Sequence, residues 1–186
     1  MLASHFAVRK LPLVPIVLAL SATSGGATTL VRQGLDQLTT GNEIIVVATV
    51  LDIYSYWTAD HRFILTDVRL RPSRILKGDP TGDLTCTIMG GSVGDVTTLI
   101  VGGADLAPGS EYMLFLSHAD LPGAANRLTI RDHSQGVFDI VGGRAFSQAI
   151  GEPLLPDAQG MSNVPGSVDG LDLDELIDQV RSYSNR

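Results

Sequence analysis

Short β-branched and aliphatic runs, each closed by glycine or proline, constrain this chain most, because such spacing leaves room for strands and turns and little for long helices. Twenty glycines and nine prolines in 186 residues supply the turns. Residues 44–51 carry Ile44, Ile45, Val46, Val47, Val50 and Leu51 with apolar side chains on both faces, which predicts a first strand covered on both sides and running on toward Tyr54, Tyr56 and Trp57. Residues 58–61 turn the chain. From Ile64 the pattern alternates: Ile64, Thr66, Val68 and Leu70 share one face, and Leu65, Asp67, Arg69 and Arg71 the other. Pro72 ends or bends this strand at an edge, and the glycine- and aspartate-rich stretch 77–83 is a turn. Strand 84–89 follows, with Leu84, Cys86 and Ile88 on the core face. Gly90 and Gly91 break it. Further runs lie at 111–116, 128–130 and 136–140, for five or six strands in all, spaced as in a small barrel or sandwich. A length of 186 residues suits a single core.

Helices belong at the two ends. Val31, Leu35 and Leu38 stand at helical spacing within 28–40, weakened by Gly34, and introduce the barrel region 42–150 as a leader of residues 28–41. Residues 151–170, with Pro153, Pro156 and Pro165, read as an irregular connector. In the closing segment 171–186, Asp172 with Glu175 forms a helix-start signature, and Leu173, Leu176, Ile177 and Val180 make one apolar face.

The first 27 residues read as an export signal. Arg9 and Lys10 precede the apolar run 11–20, and small residues follow through Ala27, so the mature chain is expected to begin near Thr28. The run is short against a bilayer core of about 30 Å and is interrupted by Pro12 and Pro15, which argues against a stable membrane anchor. The expected address is the bacterial periplasm or exterior. Loss of Arg9 and Lys10 leaves 11 basic residues against 20 acidic ones and moves the formal charge from −7 to −9. A chain so acidic repels polyanions, and no basic stripe with interleaved aromatics offsets this, so nucleic acid is not an expected partner. One cysteine allows no internal disulfide, and Cys86 is expected as a buried apolar thiol.

Several phrases between Asn42 and Ile140 match a known pattern. They are the opening strand from Ile44, the segment Thr66-Asp67-Val68-Arg69-Leu70, Ile75-Leu76-Lys77-Gly78, Gly90-Gly91, the run from Pro108 through Leu116, and Gln135-Gly136-Val137-Phe138. In these the chain resembles exported bacterial proteins with a netrin-like, tissue-inhibitor-of-metalloproteinases-like barrel. The resemblance implies a Greek-key barrel of the oligonucleotide/oligosaccharide-binding type with attached helices, and an exported metalloprotease as partner class. Inhibitors of that fold chelate the protease zinc through a mature N-terminal cysteine. Here the one cysteine is Cys86 and the expected start is Thr28, so that chelating device has no residues to carry it.

Four residues around the first turn, Tyr54, Tyr56, Trp57 and His61, are the expected binding rim. Tyr54 and Tyr56 share a face by alternation and Trp57 takes the other, and aromatic side chains on a barrel rim grip a sugar, peptide or protein loop. A hydrolase alternative rests on Gly90-Gly91-Ser92-Val93-Gly94, with His133 and either Asp132 or Asp139 as its partners. A nucleophile elbow requires a helix directly after the serine, and residues 95–103 carry no helical pattern, so a loop is expected and no catalytic residue is assigned. The pairs Asp60-His61, His118-Asp120 and Asp132-His133 lack the spacing of a metal chelate, and the acidic run Asp169 to Asp178 lacks the calcium-loop order, so neither a metal nor a cofactor is expected. An envelope structural protein is the remaining alternative to a binding module. The expectation on processing is checked by intact mass: exported protein begins near residue 28, and full-length chain recovered from the membrane fraction overturns it.

Overall fold

The computed structural model describes residues 31–150 and 170–185. The expected export signal 1–27, the expected mature start near Thr28 and all of the connector 151–170 except Gly170 lie outside the described residues. Strands make up most of the remainder, with one helix near each end: α1 (Leu35–Gly41), β1 (Ile44–Trp57), β2 (Ile64–Lys77), β3 (Leu84–Met89), β4 (Gly91–Val93), β5 (Val96–Thr98), β6 (Glu111–Leu121), β7 (Ala124–Thr129), a 3-10 turn (His133–Gly136), β8 (Val137–Val141), β9 (Arg144–Ser147), β10 (Leu171–Asp172) and α2 (Leu173–Ser184).

The main sheet has eight antiparallel strands rather than five or six. Its order is β10-β9-β8-β6-β1-β2-β3, with β7 on β6 beyond the end of β8, while β4 and β5 form a separate hairpin. No strand ladder closes β3 onto β7, so the hydrogen-bonded sheet is open, although the two strands lie alongside each other. The additional strands β4, β5, β9 and β10 are two to four residues long, too short for alternation to announce them.

Burial on both faces of β1 explains its sequence. Ile45 and Val47 point to a layer holding Met113, Phe115, Phe138 and the helical residues Leu35, Leu38, Leu176, Ile177 and Val180. Val46, Ala48 and Val50 point the other way, against Val68, Leu70, Cys86, Leu114, Leu116, Ile130 and Val137. The ladder enforces this division, since Ile45 faces Phe115 and Val46 faces Leu114.

At Pro72 the second strand bends without ending. The ladder to β1 skips Ser73, pairing Ala48 with Pro72 and Val47 with Arg74. The β3 partner has already finished at Leu84 opposite Leu70, so the missing proline N–H falls where no neighbour requires it.

The N-terminal helix is shorter than its apolar spacing predicts. It begins only after Gly34, whose N–H donates to Gln37 Oε1 at 2.9 Å, and Val31 lies outside it, half exposed. Glycine at that point costs less as a cap than inside a helix. The C-terminal helix follows expectation, with Asp172 accepting the N–H groups of Asp174 and Glu175 at 3.0 and 3.1 Å. Its apolar face docks on the sheet beside α1, and no described helix is long and apolar enough to cross a membrane.

Cys86 is buried opposite Val68, and desolvation raises its thiol pKa to about 12. The thiol therefore stays protonated and out of reach. Native protein should react with a thiol reagent only at the rate of its unfolding, and urea should restore full labelling. Fast labelling without denaturant would place the side chain on the wrong face.

Candidate functional site

Beyond the contact with β6, β1 and β2 run on together and end in the turn 58–63. Leu51 is skipped by the ladder between Val50 and Asp52, a bulge that turns Asp52, Tyr54 and Tyr56 to the outer face and leaves Ile53 on the inner one. Tyr54 is 67% exposed and stacks on Tyr56, with centroids 6.0 Å apart and planes 19° from parallel. The Tyr56 hydroxyl donates to Asp67 Oδ1 at 3.1 Å, and Thr87 donates to the same oxygen at 2.7 Å. Burial first, and then the charge of Asp67, push the Tyr56 phenol above its ordinary pKa, so it stays a donor. Tyr56 is thereby held in place as a base for the more exposed ring.

Trp57 takes the other face and meets His61, with centroids 6.4 Å apart and a tilt of 36°. His61 occupies the left-handed region at φ 55° and donates its N–H to the Thr58 carbonyl at 2.8 Å. Asp60 braces the turn: its carboxylate accepts the Thr58 hydroxyl at 2.6 Å and the Arg62 N–H at 3.2 Å, which hold it below the usual carboxylate range. The turn between β6 and β7 rests against this one. A Cβ on Gly123 would lie 2.8 Å from the Thr58 methyl, and the glycine also has φ 75°, so both space and backbone require it. The four expected rim residues thus form two aromatic contacts at one end of the sheet.

The serine pattern lies elsewhere. Ser92 is in the β4–β5 hairpin, exposed, with its hydroxyl 2.8 Å from that of Thr97, and the next element is a strand. Gly91 has a packing role: a Cβ there would collide with the hydroxyls of Thr66 and Ser55, while Thr66 donates to the Gly90 carbonyl at 2.6 Å. The proposed acids are engaged with other residues. Asp132 is buried and accepts Gln33 Nε2 at 2.9 Å and Asn42 Nδ2 at 2.6 Å, and Asp139 accepts Gln148 Nε2 at 2.8 Å. Among the described hydrogen bonds none joins Ser92, His133 and either carboxylate.

The third histidine among the described residues, His118, pairs with a distant acid instead of its chain neighbour. His118 Nδ1 lies 2.7 Å from Glu43, and this bond holds the Glu43 carboxyl below its ordinary pKa. Asp120 instead accepts the Asn126 N–H at 2.8 Å. The described residues contain no cluster of three or more His, Cys, Asp or Glu side chains placed to hold a metal ion.

A second feature escaped sequence reasoning because it is assembled from distant segments. Where β3 and β7 run unpaired, the 99–106 loop roofs a cavity of about 190 Å³ whose wall includes Ile88, Ile100, Leu121 and Ile130. Asp120 and His133 also line it, while the Arg131 guanidinium at its edge donates to the Gly41 carbonyl at 3.1 Å. The same loop carries Leu99 and Val101, 85% and 90% exposed.

No protein-family model matches the sequence, and no curated protein matches it. The hairpin position of Ser92 leads to a direct expectation. Purified protein should hydrolyse an activated ester no faster than Ser92→Ala does, and a rate lost in that variant would move the hydrolase reading ahead of the others.

Proposed function

We propose that this chain is an exported, non-enzymatic binding module that docks another exported protein through Tyr54, Tyr56, Trp57 and His61. The exposed Tyr54 ring, stacked on a Tyr56 that is itself anchored to Asp67, carries this reading. A large aromatic ring held in one orientation loses little side-chain entropy on contact, and such rings are frequent anchors at protein interfaces. The turn 58–63 adds backbone rigidity beside it through Asp60 and Thr58.

The strand path β3-β2-β1-β6-β7, with β3 lying alongside β7 across an unpaired seam, supports an oligonucleotide/oligosaccharide-binding-like barrel as the scaffold. In such barrels the loops and one open face present ligand contacts, which agrees with a contact surface at the turn 58–63. The partner class is an exported metalloprotease, proposed on the resemblance to netrin-like and metalloproteinase-inhibitor barrels. Because the one cysteine of the sequence, Cys86, is buried in β3, contact would be made by the rim and not by zinc chelation.

The experiment is a titration of the mature protein against a purified secreted zinc endopeptidase of the same bacterium, read by calorimetry and by peptide hydrolysis. Saturable binding is expected, and Tyr54→Ala and Trp57→Ala should each weaken it by about 1–3 kcal/mol. Tyr54→Ala should leave the melting temperature nearly unchanged, since its ring is mostly in solvent. Binding that survives both substitutions in folded protein would remove the rim from the interface.

A further inference from the structure

From Ile53 to Trp57 the first strand keeps one edge without a partner. The β6 ladder stops at Thr49, and the last backbone bonds on that side join Val50 to Ser110 at 3.0 Å and Gly109 to Val50 at 2.8 Å. Beyond the Leu51 bulge, the turn fixes where each backbone group points. Thr58 donates its N–H to the Phe63 carbonyl, so position 58 faces β2 and, by alternation, Ile53, Ser55 and Trp57 face away from it. Two neighbours agree. Ile64, opposite Trp57, turns its carbonyl to the β3 side and accepts the Gly90 N–H, and the Ile53 N–H bonds the Asp52 side chain at 2.9 Å instead of a strand. Among the described residues, no hydrogen bond uses the N–H groups of Ser55 and Trp57 or the carbonyls of Ile53, Ser55 and Trp57.

An exposed strand edge is a template for another strand, and folded proteins usually guard it. Pro72 stands on the β2 edge past Leu70, and the Glu43 carboxylate accepts the His118 N–H at 3.3 Å on the β6 edge past Leu116. On the β1 edge Asp52 covers the first donor only. Both flanks of that edge also suit a strand. Outward stand the stacked rings of Tyr54 and Tyr56, and inward Ile53 and Ser55 line a cavity of about 400 Å³ together with Leu99, Ile100 and Leu106. Since roughly 150 Å³ holds a benzene ring, this space takes a side chain of valine or leucine size. A strand added at the usual spacing of about 4.8 Å would set alternate side chains beside the tyrosines and beside Ile53 and Ser55. The Asp52 carboxylate is held at the edge by the Ile53 N–H and belongs to no described ion pair, so it favours a cation there.

We infer that the β1 edge from Ile53 to Trp57 takes an extended segment of the partner protein as an added β-strand, with small apolar side chains inward, polar ones along Tyr54 and Tyr56, and a lysine or arginine beside Asp52. The inference rests on the rim reading and deepens it, since the same tyrosines serve both. Main-chain hydrogen bonds supply the affinity in this mode, and the alternating flanks supply the selectivity.

The test uses the mature chain and the peptide acetyl-Lys-Val-Thr-Val-Lys-amide, followed by NMR titration. Its sequence reads the same in both directions, so a lysine reaches Asp52 whichever way the strand runs. Saturable binding is expected, with shifts at Ser55 and Trp57. The same peptide N-methylated at its first valine and its threonine, whose amides point to opposite edges, should bind at least about tenfold more weakly, as the loss of one or two net hydrogen bonds provides. Replacing both lysines by glutamate should also weaken it. An outward-facing edge position tolerates proline, so Ser55→Pro should fold and lose the peptide, while Ser55→Ala, which keeps the N–H, should retain it. If Ser55→Pro does not fold, the N-methylated peptide on the unaltered protein decides alone. No saturable binding, equal binding of the N-methylated or the glutamate peptide, or binding that persists in folded Ser55→Pro would each overturn the assignment. In the protease titration, a loss caused by Tyr54→Ala but not by folded Ser55→Pro would remove the added strand and keep the rim. Peptide binding that depends on its amides, without protease binding, would keep the edge and remove the protease.

Discussion

Pairing of β1 with β6 is the contact on which the rest of the molecule depends. Six consecutive residue pairs, from Ile44 with Leu116 to Thr49 with Glu111, join the two strands, and every second side chain enters a different core. Each fully buried Val, Leu, Ile or Phe side chain contributes about 1.5–3 kcal/mol relative to exposure, so both faces hold the register at once. A slip by one residue would exchange the two sets and place Val46 and Ala48 under the helices. Helix docking, the β8–β9 extension and the seat of Cys86 all follow from this single register.

A polar counterpart secures the start of the described chain. Asn42 donates to the Leu38 carbonyl and to Asp132, and its own oxygen accepts the Ser117 hydroxyl at 3.0 Å. Gln33 adds a bond from its side chain to Asp132, while its backbone N–H reaches Gln135. Lys77 covers the end of α1 by donating to the Thr39 carbonyl at 2.7 Å. Apart from the local bond to Leu38, these are contacts between segments roughly 40 to 100 residues apart, and buried polar groups of this kind are costly unless all are paired. Asp132 is consequently structural, while its neighbour His133 lines the seam cavity.

The outer half of the β1–β2 hairpin is different because β6 no longer supports it. Released from that ladder, β1 bulges at Leu51 and presents Tyr54 and Tyr56 away from the inner core. On the inner side the β4–β5 hairpin lies close enough to Ser55 and Thr66 that only glycine fits at position 91. One end of the sheet thus combines a firm backbone with an exposed aromatic ring and, at the seam, a small cavity. That union of a rigid support and accessible apolar surface is the physical basis for reading the protein as a binder.

Local patterning alone determined much of this architecture. Two-sided burial in β1, alternation in β2 and β3, the core position of Cys86, the Asp172 cap and the apolar stripe of α2 are each written within a few neighbouring residues, where period and capping act. The shared face of Tyr54 and Tyr56 was legible for the same reason. What alternation did not reveal depends on partners far along the chain: the short β9 and β10 exist because they join a sheet edge already formed, and the burial of Asp132 depends on Asn42 and Gln33. The outward turn of Tyr54 results from a bulge set by pairing register, and the seam cavity from two strands that approach without a ladder. Periodicity tells which side of its own strand a residue occupies; only tertiary packing decides what lies on that side.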